Sequence, residues 1–225
     1  MTLRVEGGGQ PKRIPRLQIL TDEVLQTRFT HVELAHLAIE GGADAVQYRE
    51  KRAITTRELM AVASDILSLC VSTPALLIVD DRVDVTCAVG AHGVHLGRND
   101  LDVTTARTIL GAGALIGGTA NSYEEAARVW TSGVDYLGVG PIYGTRSKAN
   151  PAPEMGLDTL RRICADAPVP VVAIGSITAQ RIPEVMAAGA YGVAVLSEVL
   201  LADDPLAATR RCRAALDVAT AVRGR

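Results

Sequence analysis

Residues 41–81 read GGADAVQYREKRAITTRELMAVASDILSLCVSTPALLIVDD, and this stretch decides the fold. Gly41-Gly42 ends a preceding helix, as glycine does where the chain turns left-handed. Residues 45–49 predict a strand, Thr55 or Thr56 caps a helix running to about Val71, and Pro74 breaks the pattern before a strand at 75–79. A helix of that length between two short apolar strands requires the strands to be parallel.

Outward from this unit the same alternation repeats. A strand at 17–21 precedes a helix at 32–40, and further strands are predicted at 93–96, 114–118, 135–139, 170–174 and 191–196. Helices are expected at 83–89, 103–110, from Ser122 to near Gly133, at 157–165, at 178–188 and at 205–215. Ser122 and Glu125 match a capping box. Glycine-alanine pairs precede several strands (Gly42-Ala43, Gly90-Ala91, Gly189-Ala190). Eight strand-then-helix units, spaced about 25 residues apart, are the number that closes a (β/α)8 TIM barrel of mixed α/β class. A doubly wound open sheet is the alternative. The barrel domain is assigned to 16–225, and residues 1–15, rich in Gly, Pro and basic residues, are expected to form a flexible leader.

The bulk composition agrees. Of 225 residues, 48% are hydrophobic but only 3% aromatic, which suits parallel strands covered on both faces by helices. A net charge of −2 gives no reason to expect nucleic acid or an anionic membrane as a partner. No apolar run nears the roughly 18 residues of a membrane span, and the N-terminus lacks the apolar centre of a signal peptide. Cys70, Cys87, Cys164 and Cys212 show no ligand spacing, which fits a reducing cytoplasm, with Cys70 and Cys212 expected as buried, inert thiols. A homo-oligomer is compatible with these features.

In such barrels the chemistry sits on the loops after the strands. There the sequence places Gln47, Arg49, Glu50 and Lys51, then Asp80 and Asp81, then His95, Asn99 and Asp100, then Thr119 and Asn121. The longest loop, 141–153, carries Thr145, Arg146, Ser147 and Lys148 and is expected to close over a ligand; Gly175-Ser176 and Ser197 follow the last two strands. Arg49, Lys51, Arg146 and Lys148 suit phosphate or diphosphate oxygens. Asp80, Asp81 and Asp100 are hard ligands of the kind Mg2+ requires. Gly175 and Ser176 precede a helix, whose free N–H groups attract an anion. Plainer readings stand beside these: an Arg49–Glu50 ion pair, Asp80 or Asp84 as helix caps, and His95 as a satisfied core histidine. His31, His36 and His92 fall away from the mouth.

Five segments, QYREK at 47–51, DRVD at 81–84, GVHLG at 93–97, GVGPI at 138–142 and VAIG at 172–175, together resemble thiamine phosphate synthase, also called thiamine-phosphate pyrophosphorylase. The likeness covers about residues 17–200. It implies a transferase that joins a hydroxymethylpyrimidine diphosphate to a thiazole phosphate and releases pyrophosphate. Gln47, Arg49, Lys51 and Lys148 would hold the pyrimidine diphosphate, and Tyr48, Glu50 and Asp80, whose charge lies beside the diphosphate, count among the substrate-binding residues. Asp81 and Asp100 would bind Mg2+. Thr145 and Ser147, with Gly175-Ser176 and Leu196-Ser197, would hold the thiazole phosphate, and Arg146 and Thr119 count among the substrate-binding residues. Arg49, Lys51 and Lys148 are the expected catalytic cations. The family mechanism is dissociative: pyrophosphate leaves, and the thiazole nitrogen captures the pyrimidine methyl cation.

The chain departs from the family pattern in places. Asp80 replaces the usual Asn, Thr119 a Ser, Ser147 a Thr, Arg146 a Pro, Asn121 a frequent His and Ser176 a Gly. The related thiazole tautomerase branch isomerises a thiazole carboxylate phosphate, loses the metal aspartates and uses a His at the Asn121 position. A barrel that binds a phosphorylated ligand without turnover is a third reading.

Overall fold

The computed structural model describes residues 12–144 and 152–223. Eight parallel strands close into a barrel in sequence order, with β1 (Leu17–Thr21) paired to both β2 (Ala45–Tyr48) and β8 (Gly192–Val195). Between them lie β3 (Leu76–Asp80), β4 (Gly93–Leu96), β5 (Leu115–Ala120), β6 (Tyr136–Val139) and β7 (Val171–Ile174). The helices are α1 (His31–Glu40), α2 (Thr56–Cys70), α3 (Val83–Val89), α4 (Val103–Leu110), α5 (Tyr123–Trp130), α6 (Gly156–Asp166), α7 (Ile182–Ala187), α8 (Ser197–Leu200) and α9 (Pro205–Arg223). The open sheet is excluded by the β1–β8 pairing.

Strand parity divides the core. Leu17, Ile19, Val46, Leu77, Leu137 and Val193 point outward and pack beneath the helices in one large cluster. Leu20, Tyr136, Val172 and Ala194, and below them Ala45, Ile78 and Leu115, fill the lumen. Ile14 packs against both inner groups from below. The described part of the expected leader is therefore tied to the barrel floor. Lys12 Nζ donates to Ala114 O at 2.8 Å and pairs with Asp135 at 2.9 Å, and Arg13 reaches Pro74 O at 2.7 Å.

Local chemistry sets the boundaries. Thr55, not Thr56, caps α2 with a full capping box to Glu58, and Thr30 and Glu33 do the same for α1. At the end of α1 the left-handed residue is Gly42, at φ 93°. The Ser122–Glu125 box is half formed: Ser122 accepts the Glu125 N–H, but the Glu125 carboxylate takes the Asn121 N–H at 2.8 Å and Arg98 at 2.6 Å. Strand β5 runs on to Ala120 because Thr119 and Ala120 pair with Gly138 and Val139. Helix α7 begins at Ile182, since the expected first turn is a separate bend closed by Arg181 N–H to Thr178 O at 3.0 Å. Helix α8 was not expected, and α9 continues past residue 215 because Leu216 and Ala219 are buried. Cys70 and Cys212 are buried, and burial pushes their thiols up to about 11 and about 12, respectively. Thr55→Ala is expected to lower stability by about 1 kcal/mol in urea denaturation, the usual cost of a lost N-cap. An unchanged midpoint would show that the α2 cap contributes nothing.

Candidate active site

A cavity of about 440 Å3 opens at the C-terminal end of the barrel. It exists because the lumen narrows to glycine where the large polar groups sit. A Cβ on Gly117 would lie 2.2 Å from the Tyr136 ring, and one on Gly138 would lie 2.6 Å from the His95 ring. His95 is thereby seated in the wall, with Nε2 2.9 Å from Thr119 Oγ1 and Nδ1 3.1 Å from the Tyr136 hydroxyl. This is the satisfied histidine of the plainer reading, although it faces the cavity.

One side of the mouth is built by β2 and β3. Inward-facing Gln47, Arg49 and Lys51 line the cavity, as do Asp80 and Asp81. Lys51 Nζ lies 3.0 Å from Asp80 and also contacts Asp81. Burial pulls the Lys51 ammonium toward deprotonation, but Asp80 and Asp81 more than offset it, so it stays charged. Burial, then the neighbouring Asp81, pushes the Asp80 carboxyl up to about 6 against the pull of Lys51 and Arg49. Asp81 holds the left-handed region at φ 64°, a conformation Asp tolerates better than most residues, with its N–H on His95 O at 2.9 Å. Asp100 accepts the Gly97 N–H at 2.6 Å and meets the Asp81 side chain; burial raises its pKa, the Gly97 bond opposes this, and Asp81 adds to it.

Tyr48 and Glu50 do not join this group. Successive strand side chains point to opposite faces, so the residues between Gln47, Arg49 and Lys51 face the helices. Tyr48 is buried against His31, ring centroids 4.8 Å apart, and its hydroxyl has no hydrogen-bond partner among the described residues. Glu50 pairs with Arg52 at 2.5 Å and with His31 Nε2 at 3.2 Å, not with Arg49. His31 is thus behind the mouth, completing its bonds at Thr21 Oγ1 (2.7 Å). Asp80 caps no helix, since α3 lacks a side-chain cap, and Asp84 forms an exposed pair with Arg82 at 2.6 Å.

This buried layer predicts acid sensitivity. Burial lowers the His31 pKa below its ordinary 6.5, with Glu23 and Glu50 opposing. Burial alone would raise Glu50, but its bonds to Arg52 and the charge of His31 bring it down to about 2. Both folded values are depressed, so both contributions are complete above the unfolded pKa values (6.5 and 4.5) and fade as pH falls through the folded ones. The Tm should fall on acidification from pH 7 to pH 3. Glu50→Gln should flatten the limb below pH 4.5; a variant curve parallel to wild type would show that Glu50 carries none of it.

The opposite side of the mouth comes from β7 and β8. Gly175 (φ 105°) and Ser176 (φ 49°) turn the chain at the cavity edge, and Ser176 Oγ donates to Gly144 O at 3.0 Å. Leu196 and Ser197 also line the cavity, at the start of α8, where the first N–H groups of a helix have no intrahelical partner. Thr119 stands on the wall beside His95, and Asn121 accepts from Arg98 at 3.3 Å while donating to Gly140 O. Thr145, Arg146, Ser147 and Lys148, and with them the tip of the loop expected to close, lie outside the described residues.

Sequence reasoning overlooked Gln18 and Tyr136, which line the cavity floor, and Arg98 at its rim. It also overlooked Asp22, buried and paired with Arg49. Gln18 and Tyr136 share the inward parity of their strands, a signal that was available; the partners of Arg98 and Arg49 lie 23 and 27 residues away and left no local mark.

A closed barrel with cations and paired carboxylates on one lip and glycine-turned backbone on the other defines a class: small-molecule barrels whose mouth suits anionic substrates. A family profile described as thiamine monophosphate synthase matches residues 17–199, and the chain belongs to that family of transferases. The thiamine-phosphate synthase of Salinibacter ruber is 45% identical over 213 residues, 93% of each chain. That of Methanoculleus marisnigri is 45% identical over 197 residues, 88% of this chain and 93% of the relative. The solved thiamine phosphate pyrophosphorylase from Pyrococcus furiosus superposes with a TM-score of 0.83 at 38% identity, covering 91% of this chain and 96% of that one.

Proposed function

We propose that this chain is a thiamine phosphate synthase, condensing the diphosphate of 4-amino-2-methyl-5-hydroxymethylpyrimidine with thiazole phosphate to give thiamine phosphate and pyrophosphate. The observation that carries the reading is that Arg49 and Lys51 on one lip and the Gly175-Ser176 turn on the other line one cavity in a member of this family. Arg49 and Lys51 on one lip suit a diphosphate. The Gly175-Ser176 turn and the start of α8 on the other suit a monophosphate, the place where barrels commonly bind one.

The residues supply position and charge. Gln47 and the cavity wall orient the pyrimidine, while Arg49 and Lys51 stabilise the negative charge that grows on the departing diphosphate. The C–O bond to the pyrimidine methylene breaks with its electron pair going to pyrophosphate, and the lone pair of the thiazole nitrogen forms the new C–N bond. Leu20, Val172 and Ala194, the apolar part of the cavity lining, limit water at the reacting carbon. No protein nucleophile is needed.

Asp81 and Asp100 fit a divalent cation. Two carboxylates in contact beside a partly buried lysine are a hard-oxygen donor pair whose mutual repulsion a cation relieves. Mg2+ held there would supply further neutralisation of the leaving pyrophosphate. The same pair disfavours the tautomerase alternative, as does Asn121, which is engaged by Arg98 and Gly140 O. The scattered spacing of Cys70, Cys87, Cys164 and Cys212, without a CxxC pair, supports a cytoplasmic location. Expression in a bacterium deleted for its own thiamine phosphate synthase should restore growth without thiamine. Failure of the soluble protein to do so would favour the tautomerase or a ligand-binding barrel.

A further inference from the structure

Arg49 is flanked by two carboxylates and is bonded to one. Asp22, directly after β1, is 1% exposed. Its Oδ1 accepts the Val24 and Leu25 N–H groups at 2.7 and 2.8 Å, and its Oδ2 accepts from the Arg49 guanidinium. The loop behind it is fixed in turn by buried Gln26, whose side chain donates to Phe29 O at 2.7 Å and accepts the Arg28 and Phe29 N–H groups, both at 2.9 Å. On the other flank Asp80 lies 3.9 Å from Arg49 Nε and is occupied by Lys51 at 3.0 Å. A guanidinium has five donors, and one committed to a rigid carboxylate fixes the plane of the rest.

We propose that Asp22 is a positioning residue, anchoring Arg49 so that its remaining donors meet the substrate diphosphate instead of collapsing onto Asp80. This rests on the synthase reading above. Without the Asp22 charge, the nearest acceptor for Arg49 is Asp80, and pairing there draws the cation away from the ligand and competes with Lys51 for the same carboxylate. Asp22→Asn is nearly isosteric and keeps an oxygen for the two backbone N–H groups, so the change isolates the charge.

The test is calorimetric titration of the full-length protein with inorganic pyrophosphate in the presence of Mg2+. Asp22→Asn is made in the wild-type and in the Asp80→Asn background, with melting curves recorded for each. Expected is an affinity loss of about tenfold in the wild-type background and under about threefold when the rival carboxylate is gone, the signature of coupled sites. The KM for the pyrimidine diphosphate should rise by a similar factor while that for thiazole phosphate stays put, a selectivity that mere loosening of the barrel would not give. Equal losses in both backgrounds, or no loss where wild type binds pyrophosphate, overturns the role of Asp22 and leaves the synthase reading standing. A wild-type protein that binds no pyrophosphate overturns both. If Asp22→Asn does not fold, the ligand-free wild type is read by nitrogen-15 NMR at low temperature, with the Arg49 Nη–H signals, which report the group bonded to Asp22, assigned through Arg49→Lys. A resolved, slowly exchanging resonance supports the anchor; a signal averaged with solvent-exposed arginines overturns it.

Discussion

Asp81→Ala is expected to abolish Mg2+-dependent turnover, by about 10²–10³-fold in kcat, while the barrel still folds. The carboxylate is one of the two proposed to hold the cation, and it also contacts Lys51 on the lip proposed for the diphosphate. A second, smaller effect comes from the backbone. Asp81 sits at φ 64°, and alanine there costs about 1 kcal/mol more than a residue suited to the left-handed region. Asp81→Gly removes the carboxylate without that strain, so it should lose as much activity and keep its stability. Steady-state kinetics across a Mg2+ series, with urea denaturation of each variant, separates the two effects. Full activity in Asp81→Ala would place the metal elsewhere.

Gly175→Ala is expected to damage the other lip. At φ 105° an L side chain is strained, and the added Cβ would lie 2.5 Å from Pro141 Cα and 2.8 Å from Ile142 N. Those contacts are backbone and cannot rotate aside, so the loops after β6 and β7 must part. The loss should be on the order of 2–4 kcal/mol of stability, with the KM for thiazole phosphate raised at least tenfold. Ser176→Gly is the contrast. It restores the residue of the family pattern at a left-handed position and loses one hydroxyl bond to Gly144 O, at a cost of about 1 kcal/mol. Thermal melts and separate KM values for the two substrates check the pair. A Gly175→Ala enzyme with wild-type KM for thiazole phosphate would remove this turn from the substrate site.

The strand-helix rhythm was legible because every strand carries an outward apolar set that must meet a helix. What the rhythm could not reveal was where tertiary partners change an end. The last two residues of β5 are strand because β6 lies beside them, and Glu125 leaves its capping box because Arg98 and Asn121 reach it across the rim. The candidate site was legible as a set of loops but not as a set of directions. Parity alone separates Gln47, Arg49 and Lys51 from Tyr48 and Glu50, and reading QYREK as one unit blurred that division. Asp22 carried no signal in isolation; an aspartate after a strand is common, and its partner arrives only when the barrel brings β1 and β2 together.

The measurement that tests the central claim most directly is the formation of thiamine phosphate by the purified protein from the pyrimidine diphosphate and thiazole phosphate, with and without Mg2+. Thiamine phosphate and pyrophosphate appearing in equal amounts, and only with the cation, is the predicted result. Folded protein that yields neither product in the presence of Mg2+ would contradict the account.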